Sequence, residues 1–76
     1  MILKDNKNLK FEEEASYVTD HKRYLVISKK SKYVIGKVKY YASSGKYCFF
    51  PEHSTVFSKD DLSTIMFNIA LLSKEM

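Results

Sequence analysis

Seventy-six residues with 45% hydrophobic content, 6 Tyr, 5 Phe, 2 Gly and 1 Pro specify a single domain with a small core, which excludes a disordered chain and a deep catalytic cleft. One cysteine excludes an internal disulfide and points to a reducing, cytoplasmic setting. The net charge of +4 is uneven: residues 21–51 hold Lys22, Arg23, Lys29, Lys30, Lys32, Lys37, Lys39 and Lys46 and no Asp or Glu, so a basic centre lies between acidic flanks.

Residues 1–8, "MILKDNKN", are mostly polar after Ile2 and Leu3 and read as a flexible arm of the single domain 1–76, without a signal peptide. No apolar run approaches the roughly 18 to 20 residues of a membrane span, so no membrane association is expected. "LKFEEEASYV", residues 9–18, alternates imperfectly and is read as a first short strand, although Glu12 to Ala15 favour helix. "YLVISK", residues 24–29, is a clearer strand, rich in β-branched and aromatic residues and closed by the polar turn "KKSK".

Its hairpin partner is "YVIGKVKYYA", residues 33–42. Strict alternation sends Val34, Gly36, Val38 and Tyr40 one way, and Tyr33, Ile35, Lys37, Lys39 and Tyr41 to a wet face. Gly36 in mid-strand marks a bulge or a close neighbour, expected to be an aromatic ring of the next strand. That strand is "KYCFFP", entered through Ser43-Ser44-Gly45 and stopped by Pro51, which cannot donate to a ladder. Nothing in the pattern fixes which of Tyr47, Cys48, Phe49 and Phe50 are inside.

The C-terminal stretch is the clearest element. Ser58 is a good N-cap, Asp60 and Asp61 suit the positive end of a helix dipole, and Lys74 suits the negative end. Leu62, Ile65, Met66, Ile69, Leu72 and Met76 recur at helical spacing as the expected buried stripe, with Ala70 beside them. Phe67 and Leu71, four residues apart, are expected to join a broad buried face; exposed, they would form a patch for a partner or a second copy. The fold class is α+β: an antiparallel three- to four-stranded meander packed against one C-terminal helix.

Chemistry-bearing motifs are few. Glu12, Glu13 and Glu14 are adjacent and cannot converge as paired carboxylates. Cys48 lies in an apolar strand and reads as packing, and with His21 and His53 it lacks any close metal-type spacing, so no metal or cofactor is expected. "IGKVKYY" lacks the upstream glycine and the Ser or Thr of a phosphate loop. "GKYCFF" resembles the aromatic strand of an RNA recognition motif, but that fold needs two helices. An enzyme is not indicated.

What remains is the basic, aromatic-interleaved sheet. Lysines at alternate strand positions can line a phosphate backbone while an exposed ring stacks on an unpaired base; the same lysines would equally suit the solvated face of an ordinary hairpin and deter edge-to-edge aggregation. The expected binding residues are Lys29, Lys30, Lys32, Lys37, Lys39, Tyr41 and Lys46. Three functions fit: a modulator docking this face on a partner protein, a protein–RNA complex or its nucleic acid; a direct DNA- or RNA-binding protein; or a homodimeric structural module joined through the helix.

Taken together, "YLVIS", "IGKVKYY", "YCFFP", "TVF" and the terminal amphipathic helix resemble short accessory proteins common in bacteriophage and prophage genomes, over residues 24–73. The elements of the likeness are Gly36-x-Val38-Lys39-Tyr40, Tyr47-x-Phe49-x-Pro51 and the Phe57 to Leu62 helix entry, with Tyr40 and Tyr41 where similar chains often carry tryptophan. The resemblance implies a cytoplasmic protein of an infected bacterium that binds host machinery, such as RNA polymerase, nucleases or RNA-guided defence complexes. A defence inhibitor of the anti-CRISPR type is the implied role.

Overall fold

A computed structural model describes residues 3–14 and 21–74. Strands β1 (Leu9–Glu14), β2 (Arg23–Ser28), β3 (Val34–Tyr41) and β4 (Lys46–Pro51) form an antiparallel sheet in sequence order, followed by helix α1 (Lys59–Lys74). The expected continuation of the first strand over 15–18 and the helix contact of Met76 lie outside the described residues.

The helix packs on one sheet face and closes a two-layer core of Leu3, Leu9, Tyr24, Val26, Val38, Tyr47, Ile65 and Leu72. Phe11, Ile35, Tyr40, Phe49, Phe57 and Ile69 pack around it. Tyr47 and Phe49 therefore face the helix, while Cys48 and Phe50 point to the open side. Strict alternation fails at the start of β3. Val26 pairs with Gly36 but Ile27 pairs with Val34, so an extra residue bulges from β3. The bulge brings Ile35 onto the core and leaves Val34 exposed, the reverse of the simple two-residue period. Beside it, a Cβ at Gly36 would stand 2.5 Å from Phe49 Cε1, so the aromatic neighbour expected from the next strand is there.

Ser58 caps the helix in a reciprocal box: the Asp61 amide donates to Ser58 Oγ at 3.1 Å, and the Ser58 amide donates to Asp61 Oδ2 at 3.2 Å. The buried stripe is the expected one in part: Ile65 and Leu72 are buried and Ile69 packs against the core, but the face is rotated. Asp61, Ile65, Asn68 and Leu72 face inward, whereas Leu62 and Met66 are exposed.

The reason for the rotation is polar. Residues 3–8, read as an arm from the sequence, lie along the helix. The Lys4 amide donates to Asn68 Oδ1 at 2.8 Å, and Asn68 Nδ2 donates to the Lys4 carbonyl at 2.9 Å. Asn6 Nδ2 donates to Asp61 Oδ1 at 3.2 Å. The same segment covers the free edge of β1, since the Leu9 and Phe11 amides donate to Asn6 Oδ1 and Asp5 Oδ1.

Asn68→Ala is expected to cost about 2 to 4 kcal/mol, read as a lower urea midpoint, because both Lys4 backbone groups lose their partner beside the core. Burial by itself would raise the Asp61 pKa, but hydrogen bonds from the Ser58 amide, Asn6, the Ser58 side chain and Asn8 outweigh it and hold the carboxyl below its ordinary value. The stability this confers is present above the unfolded carboxylate pKa and is lost as pH falls through the folded one. In Asp61→Asn the urea midpoint should fall less steeply through the acid range than in the wild type.

Candidate functional site

With the helix on one face, no other described element covers the second sheet face, and the strand register fixes what it displays. Glu12, Leu25, Lys37 and Phe50 lie in one row across the four strands. Lys39 stands opposite Cys48, and Tyr41 opposite Lys46. The face is therefore graded, from Glu12 and Glu14 on β1 through Leu25 and Ile27 on β2 to Lys37 and Lys39 on β3 and the single Phe50 ring on β4. It is not uniformly basic, because the strand order brings Glu12 and Glu14 onto it.

Those carboxylates are already paired. Glu12 takes Lys10 at 2.8 Å, Glu13 takes Lys22 at 3.7 Å and Glu14 takes Arg23 at 3.4 Å. Among the described residues, Lys29, Lys30, Lys32, Lys37, Lys39 and Lys46 have no carboxylate within salt-bridge distance. These lysines, without an ion-pair partner among the described residues, lie on β3, β4 and the hairpin turn.

The lysine face is also less wet than alternation implies. Lys37 and Lys39 are half-buried, as long lysine stems are when they lie along apolar surface. Lys39 Nζ stands 4.6 Å from the Phe50 ring centroid, a cation–π contact. Tyr41 meets the same ring edge-on at 5.9 Å and keeps 47% of its own surface exposed.

Lys29, Lys30 and Lys32 occupy the β2–β3 turn, and Lys46 begins β4 at the opposite end of the sheet. The span of β3 between them is about 23 Å, so the seven expected residues form a line rather than one cluster. The two hairpin loops close alike: the Lys32 amide donates to the Ser28 carbonyl at 2.8 Å, and the Gly45 amide to the Tyr41 carbonyl at 2.9 Å. Both closing residues are left-handed, at φ 69° and 68°. Glycine adopts this geometry freely and lysine does not. Lys32→Gly should therefore raise stability by about 0.5 to 1 kcal/mol in thermal melts.

Three residues missed in the sequence complete the Tyr41 end: His21, Arg23 and Phe50 line a groove with Lys39 and Tyr41. Their signal was the hairpin register, which puts Arg23 on the same side as Lys37 and Lys39. Cys48, read as a packing residue whose side of the strand the pattern left open, is half-buried on the open face, with Ser44 Oγ and the Lys46 carbonyl each 3.7 Å from its sulfur. Among the described residues no group of three His, Cys, Asp or Glu side chains could hold a metal ion, and no helix is long and apolar enough to cross a membrane.

On the opposite side, Leu62, Met66 and Phe67 are exposed while Leu71 is half-buried, so Phe67 does not join the expected broad buried face. Its ring instead has Lys4 Nζ 5.6 Å from the centroid. No family model matches this chain, no curated protein matches it, and no solved structure matches it.

Proposed function

We propose that this chain is a non-enzymatic binding protein that lays the β3–β4 face along a nucleic-acid strand. The observation that carries the reading is the contrast across the sheet: the β1 carboxylates each hold a cation of their own, while the lysines of β3, β4 and the adjoining turn have no carboxylate within salt-bridge distance among the described residues. Lys37 and Lys39 stand about 7 Å apart along β3, within reach of neighbouring phosphates on an extended strand. Lys32, kept in a backbone conformation that glycine would adopt without strain, adds to the same line.

The likeness to phage accessory proteins gives this role a setting. In it, the protein is an inhibitor that covers the nucleic-acid path of a host nucleoprotein in the bacterial cytoplasm, with RNA-guided CRISPR-Cas complexes among the targets. That identification rests on analogy with the quoted motifs.

The test is titration of the full chain against labelled single-stranded RNA, single-stranded DNA and duplex at several salt concentrations. Three or four phosphate contacts give log K against log salt a slope of about −2 to −3 for a single strand. Absence of binding to every oligomer at low salt removes the reading. A second reading, self-association through α1, is favoured by the exposure of Leu62, Met66 and Phe67; a concentration-dependent mass in sedimentation would support it.

A further inference from the structure

The groove at the Tyr41 end of the open face has a volume of about 320 Å³ and brings two kinds of wall together. One wall is cationic, from Arg23 and Lys39. The other is aromatic, from Tyr41 and Phe50, with His21 at the margin. The His21 ring is stacked on Tyr40 at 3.8 Å and 5°, which fixes that margin.

Within this frame the groups are not equivalent. The Phe50 ring already has the Lys39 ammonium 4.6 Å from its centroid and Tyr41 in a T-shaped contact. Tyr41 is the more available platform, being nearly half exposed at the end of its strand. Arg23 Nη2 lies 3.4 Å from Glu14 Oε1, and the buried Arg23 Nε has no hydrogen-bond partner among the described residues. Glu14 competes for the guanidinium, but two cations against one carboxylate leave the groove net positive.

Flat apolar surface beside paired cations is the chemistry of one nucleotide, a base and its phosphate. The volume lies at the lower end of small-ligand sites. Resting on the nucleic-acid reading above, we propose that this groove is a single-strand anchor: an unpaired base stacks on Tyr41 while its phosphate lies between Lys39 and Arg23. The lysines of β3 and the turn then track the strand, and the groove sets its preference for unpaired nucleotides.

The experiment uses three fluorescein-labelled probes of equal phosphate number: a single-stranded oligouridylate, its abasic counterpart and a blunt RNA duplex. Wild type is expected to bind the oligouridylate about 5- to 100-fold tighter than the abasic strand, and tighter than the duplex. Tyr41→Ala should lose that margin, and Tyr41→Phe, which keeps the ring, should retain it. Arg23→Gln should flatten the salt slope by about 0.7.

Equal affinity for the base-bearing and abasic strands, or wild-type binding by Tyr41→Ala, overturns the anchor and leaves the lysine track standing. No binding to any probe overturns both. Thermal melts show whether Tyr41→Ala is folded; were it not, the oligouridylate-to-abasic ratio of the wild type and of Tyr41→Phe still decides.

Discussion

Gly36→Val is expected to lower the unfolding free energy by about 3 kcal/mol or more. For 76 residues the whole stability is of the order of 4 to 11 kcal/mol, so the variant should be largely unfolded in mild urea. The local preferences point the opposite way. Valine has the higher strand propensity, and even Gly→Ala at a compatible backbone gains about 0.4 to 1 kcal/mol by restricting the unfolded chain. Packing outweighs both, because a Cβ at this position meets Phe49 Cε1 at 2.5 Å, Phe49 Cζ at 2.8 Å and the Phe50 carbonyl at 3.2 Å.

The Phe49 ring cannot simply swing aside, being held edge-on by Phe57 at 5.0 Å. Trimming the ring should therefore make the larger residue tolerable. In a double-mutant cycle, Gly36→Ala with Phe49→Leu should be more stable than the sum of the two single changes, measured as urea midpoints. If Gly36→Ala alone is neutral or stabilising, the ring does not occupy that space.

The second large effect is on binding. Lys37→Glu with Lys39→Glu should weaken affinity for single-stranded nucleic acid by at least about tenfold near physiological salt and flatten its salt dependence. Stability should change by about 1 kcal/mol at most, chiefly through the lost contact between Lys39 and Phe50. Fluorescence anisotropy for binding and thermal melts for folding separate the two. The corresponding glutamine pair should lie between wild type and the reversal, since it removes attraction without adding repulsion.

The elements were legible in the sequence because each carries its own local signal. Alternation and β-branching mark β2 and β3, Pro51 stops β4, and Ser58 with Asp61 opens α1. Gly36 even announced its aromatic neighbour, since a glycine in mid-strand makes sense where a ring must approach the backbone. The orientation of the helix was not legible. Hydrophobic spacing favours Leu62 and Met66 as inward, but the helix also buries a polar seam against residues 4–8, through Asp61 and Asn68. Pairings across more than fifty residues, between a polar arm and two polar helix positions, leave no periodic trace.

The candidate site was half legible for a similar reason. Lys37, Lys39 and Tyr41 share a side of one strand, which alternation reveals. That Arg23 and Phe50 complete the groove, that Glu12 and Glu14 share the face, and that Lys32 sits in a left-handed turn all depend on neighbours outside β3. Sheet order and register decide those, and a bulge of one residue is enough to exchange Val34 for Ile35 in the core.

Amide chemical-shift mapping puts the central claim to the most direct test. On titrating the isotope-labelled chain with a single-stranded oligouridylate, the largest shifts are expected along Lys37 to Tyr41, at Lys46 and Phe50, and in the turn from Lys29 to Lys32. Shifts gathered instead around Leu62, Met66 and Phe67, with β3 unmoved, would place recognition on the helix and contradict the basic sheet face as the binding surface.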